Sequence, residues 1–338
     1  MTIKNIYTAS SPLPWLTQPN SRDVLLATQV LTTNLGYQPE DTVVIVTDQT
    51  YIDQLAPLWF VAARQLSSNA SVTLIELEGM VRHGQVPPIE VITQAEQADI
   101  TLLHTEYSLT HTSAATAGRK NQGRVASMPG LSYEMMTRTL STDCTEIAQR
   151  GETLKKILEN GTQMTITAAN GTNLTTTIRR SAVYNDTGLI KPGEVGNLPG
   201  GEVFFAPPET ATNGVWVVDA SLANEPELDE PVVLYIENGM VVTIKGGAAA
   251  RRLQTKLDSV GPLAYTVAEV GIGTNPTANP YGNLLEAEKA LGTAHLAVGA
   301  NAFIGGSVNV PIHLDGVTMK PTITVDQHVI MQSGTLLP

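Results

Sequence analysis

The chain has 338 residues, more than twice the roughly 150 at which single hydrophobic cores stop being commonest, so two domains are expected. Hydrophobic residues make up 42% and charged residues 15%, which gives apolar surface to bury and too little charge to hold the chain disordered. Its 20 Lys plus Arg against 32 Asp plus Glu give a formal charge of -12, and no basic cluster could grip a phosphate backbone, so nucleic acid is excluded as a partner.

Apolar residues recur at helical spacing from Val24 to Leu35 and stop at Gly36, and Thr42 to Thr47 reads as a continuous buried strand. The alternation continues with a helix at Ile52 to Leu66, a strand at Val72 to Leu77, a helix at Ile89 to Ala98 and a strand at Ile100 to His104. A helix after Thr110 and a strand at Val125 to Met128 follow. Strands alternating with helices in this way predict a doubly wound α/β domain over residues 1–145, with a mostly parallel sheet. Asp48, Gln49, Thr50 and Tyr51 follow the first core strand where a glycine-rich phosphate loop would stand, which argues against a dinucleotide. Gly271-Ile-Gly273 runs into Thr274-Asn275-Pro276 and reads as a turn.

A helix at Thr145 to Glu159 leads into a β-rich domain over residues 146–338. Asn170-Gly171 and Asn238-Gly239 predict hairpins between Met164–Ala168 and Leu174–Ile178, and between Val232–Ile236 and Met240–Ile244. Further strands are expected at Val215–Val218, Tyr265–Val270, Leu296–Val298, Val310–Val317 and Thr322–Met331, with one helix at Ala248–Leu257.

With Cys144 as its single cysteine, the chain can form no internal disulfide, and any metal must be held by His, Asp and Glu. Met1 to Trp15 has no apolar leader segment, and no window reaches the ~18 apolar residues of a membrane span. A cytoplasmic protein without a membrane partner is expected.

His313-Leu-Asp315 lies in a predicted strand, so an imidazole and a carboxylate project from one face, a common way to hold a divalent metal. Glu269 interrupts an apolar strand, where a carboxylate is costly to bury unless paired or bound to a cation. His295 opens an apolar segment, and Glu202 follows Gly200-Gly201 before Val203-Phe204-Phe205. Each alone reads as a satisfied core residue, and their joint occurrence carries the weight. His104, Tyr107 and His111 follow a strand whose carboxyl end is where open α/β sheets bind ligands, which makes Tyr107 and His111 candidates for substrate contact. His83 and His328 are expected in solvent-facing loops, and Arg119 and Arg124 on the solvated surface.

Asn197-Leu-Pro-Gly-Gly-Glu202-Val-Phe-Phe-Ala-Pro207, Ala268-Glu269-Val-Gly-Ile-Gly-Thr-Asn-Pro276, Glu288-Lys-Ala-Leu-Gly-Thr-Ala-His295-Leu-Ala-Val-Gly299 and His313-x-Asp315 occur in that order. With Arg124-Val-Ala-Ser-Met-Pro-Gly130, this set resembles the thermophilic metallopeptidases, the metal-dependent aminopeptidases typified by aminopeptidase T and aminopeptidase S. The resemblance implies an α/β domain followed by a β-rich domain carrying a two-metal site, and a homodimer. It implies Glu202, Glu269, His295, His313 and Asp315 as ligands to divalent metal (Zn, Co or Mn), with Glu202 and Glu269 as the catalytic carboxylates. The implied activity is removal of the N-terminal residue of a short peptide by metal-activated water. A family tyrosine seven residues after the histidine is here Ala302. A related branch with the same motifs, the 2,5-dihydroxypyridine 5,6-dioxygenases, cleaves a ring with non-haem Fe(II) and carries a histidine where this chain has Glu269. A third possibility is a member that kept the fold and lost the chemistry.

Overall fold

The structure, a computed structural model, describes residues 1–11, 19–66 and 71–337. Of the Met1 to Trp15 stretch, residues 12–15 lie outside the described residues. The chain forms two compact units, Met1–Cys144 with Thr187–Gly200, and Thr145–Asp186 with Gly201–Pro338. A single cut after residue 145 differs from this division over residues 187–200, which return to the first unit.

The first unit runs β1 (Thr2–Thr8), α1 (Ser21–Gln29), β2 (Val43–Asp48), α2 (Ala56–Leu66), β3 (Val72–Glu78), α3 (Ile89–Gln97), β4 (Ile100–His104), α4 (Ser113–Gly118), β5 (Arg124–Ser127) and α5 (Tyr133–Thr139). Its sheet has the order β1-β3-β2-β4-β5-β9, where β9 is Val195–Asn197. All neighbours pair in parallel except β1, which runs antiparallel to β3 along one edge. Val44, Val46, Ile75, Leu77, Leu103 and Val125 form one buried face with Val91 of α3 and Ala114 and Ala115 of α4. Because successive strand residues point to opposite sides, Ile45, Leu74 and Leu102 supply the second buried face, and α2 packs on β2 and β3. Helices on both faces make the doubly wound domain the sequence predicts.

The second unit runs α6 (Cys144–Asn160, from its second residue on), β6 (Gln163–Thr167), β7 (Asn173–Thr177), β8 (Val183–Asp186), β10 (Glu202–Phe205), β11 (Asn213–Val218), β12 (Val232–Glu237), β13 (Met240–Lys245), α7 (Ala248–Val260), β14 (Val267–Gly273), α8 (Leu284–Ala287), β15 (Thr293–Gly299), β16 (His313–Met319), β17 (Thr322–Val325), β18 (His328–Gln332) and β19 (Thr335–Leu336). Two antiparallel sheets result, of order β13-β12-β11-β7-β6-β17-β18-β19 and β16-β15-β14-β10-β8. Met164, Ile166, Leu174, Trp216 and Leu234 of the first share one core with Val203, Phe205, Val270, Ile272, Leu296 and Val298 of the second. Both Asn-Gly hairpins form as expected.

Three expectations need correction. The stretch Thr322–Met331 is two strands, because Asp326 takes a left-handed conformation (φ 54°) and turns the chain back. Gly271 to Gly273 ends β14 and is not a turn, for a reason the site makes plain. Arg124 is buried, donating to Asp41 Oδ2 at 2.7 Å and to the carbonyls of Leu35 and Gly36.

No helix among the described residues is long and apolar enough to cross a membrane.

Candidate metal centre

The sheet β16-β15-β14-β10-β8 turns one face to the sandwich core and assembles the polar cluster on the other. Glu202 opens β10, Glu269 lies in β14, His295 in β15, and His313 and Asp315 in β16. Each has a small residue directly opposite on at least one side of the ladder: Glu202 faces Gly273 (and Asp186 on its other side), His295 faces Gly271 (and Val317), Glu269 and Asp315 both face Ala297, and His313 faces Gly299. Paired residues share a sheet face, so this pattern leaves a hollow into which the polar side chains converge. A Cβ at Gly271 would stand 2.0 Å from His295 Nε2, which is why a glycine occupies that strand position.

A register shift between Val267 and Glu269 sets the face of the central carboxylate. Val267, Val270 and Ile272 all enter the core, a spacing of three and then two that plain alternation forbids. A bulge at this point sends Val267 inward and leaves Glu269 on the polar side. Gly201, at φ 132° and with its Cβ direction blocked 2.6 Å away by Asn275, brings the chain into β10 so that Glu202 is the first paired residue.

The side chains form two groups of ligand atoms, Glu202 with Glu269 and His295, and Glu269 with His313 and Asp315, the atoms of each lying within 4.8 Å of one another. His295 Nε2 is 3.2 Å from Glu269 Oε1 and 3.3 Å from Glu202 Oε2. His313 Nε2 is 3.5 Å from Glu269 Oε2 and 3.4 Å from Asp315 Oδ2. Glu269 thus belongs to both groups. His313 Nδ1 donates to the Ala300 carbonyl at 2.7 Å, which fixes the tautomer and directs Nε2 at the carboxylates, the arrangement of a metal-ligating histidine.

The electrostatics are those of a buried anionic site. Burial opposes charge on Glu269, but hydrogen bonds from His295 and His313 outweigh it and hold the carboxyl down at about 2. Burial lowers His295, yet its bond to Glu269 and the charge of Glu202 push it up to about 9. His313 is likewise lowered by burial, and Asp315 and Glu269 push it up to about 10. Glu202 Oε2, His295 Nδ1 and Asp315 Oδ1 are buried without a hydrogen-bond partner among the described residues. Carboxylates gathered this closely in a buried hollow, with orphaned oxygens, fit a divalent cation held by oxygen and nitrogen.

Lys289 had no role in the sequence reading. It is 0% exposed, with Nζ 2.8 Å from Glu202 Oε1 and hydrogen-bonded to Glu288 Oε1. Burial lowers its pKa, but Glu202 and Glu288 hold it well above the ordinary lysine value. Beside Glu288 in sequence it looks like part of a solvated charge pair, and its only signal was the small-residue run that follows.

Of the other singled-out residues, His328 opens β18 in the second unit instead of lying in a loop, and the rest lie in the first unit. Tyr107, half-buried after β4, has its ring edge-on to His83 at 5.4 Å and its carbonyl bonded to the Thr105 hydroxyl. His111 is exposed in the turn before α4. Neither belongs to the two ligand groups. His104 is a core residue, accepting from Trp59 Nε1 through Nδ1 at 3.1 Å, donating from Nε2 to the Leu131 carbonyl at 3.0 Å, and stacking on Tyr51.

An α/β unit joined to a β-sandwich unit that buries a carboxylate and imidazole cluster defines a class of metal-binding enzymes. Within that class the chain belongs to the NicX family, 2,5-dihydroxypyridine 5,6-dioxygenase, whose family model matches residues 26–338. Among solved structures it is similar to a 2,5-dihydroxypyridine dioxygenase from Pseudomonas putida KT2440, at 19% identity and TM-score 0.76, covering 94% of this chain and 98% of that one. It is also similar to wild-type AmpT from Thermus thermophilus, at 16% identity and TM-score 0.70, covering 94% and 99%. At these identities the likeness establishes the fold. No curated protein matches the chain. The family match favours the dioxygenase branch over the aminopeptidase reading that the sequence motifs placed first.

Proposed function

We propose that the chain is a metal-dependent dioxygenase that opens a hydroxylated, nitrogen-containing aromatic ring, with the ion held by Glu269, His313 and Asp315. What carries this reading is that a dioxygenase family model spans residues 26–338 of a chain in which those three ligands converge. A ferrous ion there would offer open positions for the ring and for dioxygen and a path for electrons between them, with the ring itself as the net reductant. The site departs from a two-histidine, one-carboxylate set in offering Glu269, so the ion would meet two carboxylates and one imidazole.

The remaining roles fall to side chains in place. The Ala300 carbonyl fixes the His313 ring through Nδ1. Glu202 Oε2, buried without a hydrogen-bond partner among the described residues, is positioned to take the proton a ring hydroxyl releases on binding. Phe303, 46% exposed and edge-on to His313 at 5.2 Å, offers an aromatic contact for a planar substrate. Ala302 beside it provides no hydroxyl to stabilise a tetrahedral peptide intermediate. The test is oxygen uptake by anaerobically iron-loaded protein given 2,5-dihydroxypyridine. Uptake with loss of the ring absorbance supports the proposal, and none across a panel of dihydroxypyridines refutes it.

A second reading, a two-metal hydrolase, has one specific observation in its favour: two ligand groups that share Glu269. It requires release of free amino acid from an aminoacyl-p-nitroanilide by protein loaded with Zn, Co or Mn.

A further inference from the structure

The two ligand groups are not equivalent. Glu269, His313 and Asp315 form no ion pair with a Lys or Arg among the described residues, and Asp315 Oδ1 has no hydrogen-bond partner there. In the other group, Glu202 already has a cation on it. Lys289 Nζ sits 2.8 Å from Glu202 Oε1 and bonds Glu288 Oε1 as well, with no exposure to solvent.

The backbone holds this ammonium in place. Lys289 N donates to Glu286 O at 3.0 Å, and Lys289 O accepts from Asn275 N at 2.8 Å, while Asn275 and Ala290 form a parallel bridge. The side chain is therefore anchored at its root and clamped at its tip by two carboxylates.

We infer that the Lys289 ammonium takes the place of a second metal cation, so that the centre accepts a single divalent ion, at Glu269, His313 and Asp315. A further dication among Glu202, Glu269 and His295 would share the Glu202 carboxylate with a fixed positive charge. In a buried site that repulsion is weakly screened. Glu202 is then left as a carboxylate with Oε1 engaged by Lys289 and Oε2 beside His295 Nε2 at 3.3 Å without a hydrogen-bond partner among the described residues. The inference rests on reading the cluster as a metal centre, and it distinguishes a one-ion centre from the two-ion hydrolase.

Equilibrium dialysis of the full chain against Mn²⁺, with metal analysis and electron paramagnetic resonance, tests it. The wild-type protein is expected to saturate at one Mn²⁺ per chain with an uncoupled six-line spectrum. Lys289→Met, which removes the charge and keeps the apolar stem, is expected to saturate at two with a spin-coupled spectrum, and Lys289→Gln serves if the first variant does not fold. Two ions on the wild-type protein overturn the role of Lys289 while leaving a metal centre intact, and this count needs no variant. A folded Lys289 variant that still takes one ion also overturns it. No bound ion in the wild-type protein overturns this inference together with the metal centre.

Discussion

Gly271 lies directly opposite His295 in the β14–β15 ladder, and the imidazole fills the space where a Gly271 side chain would be. A Gly271→Ala substitution must displace the ring or the strand. Overpacking of this kind costs roughly 1–3 kcal/mol, and misplacing the His295 ring, which hydrogen-bonds the ligand Glu269, is expected to weaken metal binding by about 10- to 100-fold. Thermal unfolding with and without Mn²⁺ measures both, and an alanine variant with wild-type metal response would contradict the account of this face.

Glu269 and Glu202 are expected to behave differently. Glu269 is common to both ligand groups, so Glu269→Ala should abolish metal retention through gel filtration. Glu202 is engaged by Lys289, so Glu202→Gln should retain the ion and lose turnover instead. Metal content of the two purified variants separates these outcomes, and equal loss in both would mean that Glu202 is a ligand.

Saturating metal should stabilise the protein. Three buried carboxylates now lie together with orphaned oxygens, and an ion that binds only the folded state at a hundred times its dissociation constant adds about 2.7 kcal/mol. Unfolding in denaturant with Mn²⁺ and with a chelator gives the difference, and coincident curves would contradict it.

His104 gives the first unit a pH dependence of definite sign. Burial, opposed by its bond to the Leu131 carbonyl, lowers its pKa from 6.5 to about 4, so the folded ring stays neutral where the unfolded one is protonated. The contribution is complete above about pH 6.5 and is lost as pH falls towards 4, amounting to about 3 kcal/mol. Histidine nitrogen shifts should show this ring neutral at pH 5, and a protonated His104 there would refute the assignment.

Much of this arrangement was legible in the sequence because periodicity reports burial. The alternation from Val24 to Met128 predicted the doubly wound unit, and the two Asn-Gly pairs predicted their hairpins. Glu202, Glu269, His295, His313 and Asp315 stood out as polar residues in apolar or glycine-rich company, and the structure brings them together. Short strands gave no such signal. β8, β9 and β10 have three or four residues, fewer than a period needs to show itself. The bulge before Glu269 is equally invisible, since only pairing with β15 reveals the shift. Lys289 was missed because a lysine beside a glutamate reads as solvated surface, and only tertiary packing removes it from water.

Anomalous diffraction from crystals soaked in Mn²⁺ tests the metal centre most directly. The account predicts one strong peak within coordination distance of Glu269, His313 and Asp315, with the Lys289 ammonium still seated on Glu202. A peak elsewhere, or none at full occupancy of the soak, would contradict it.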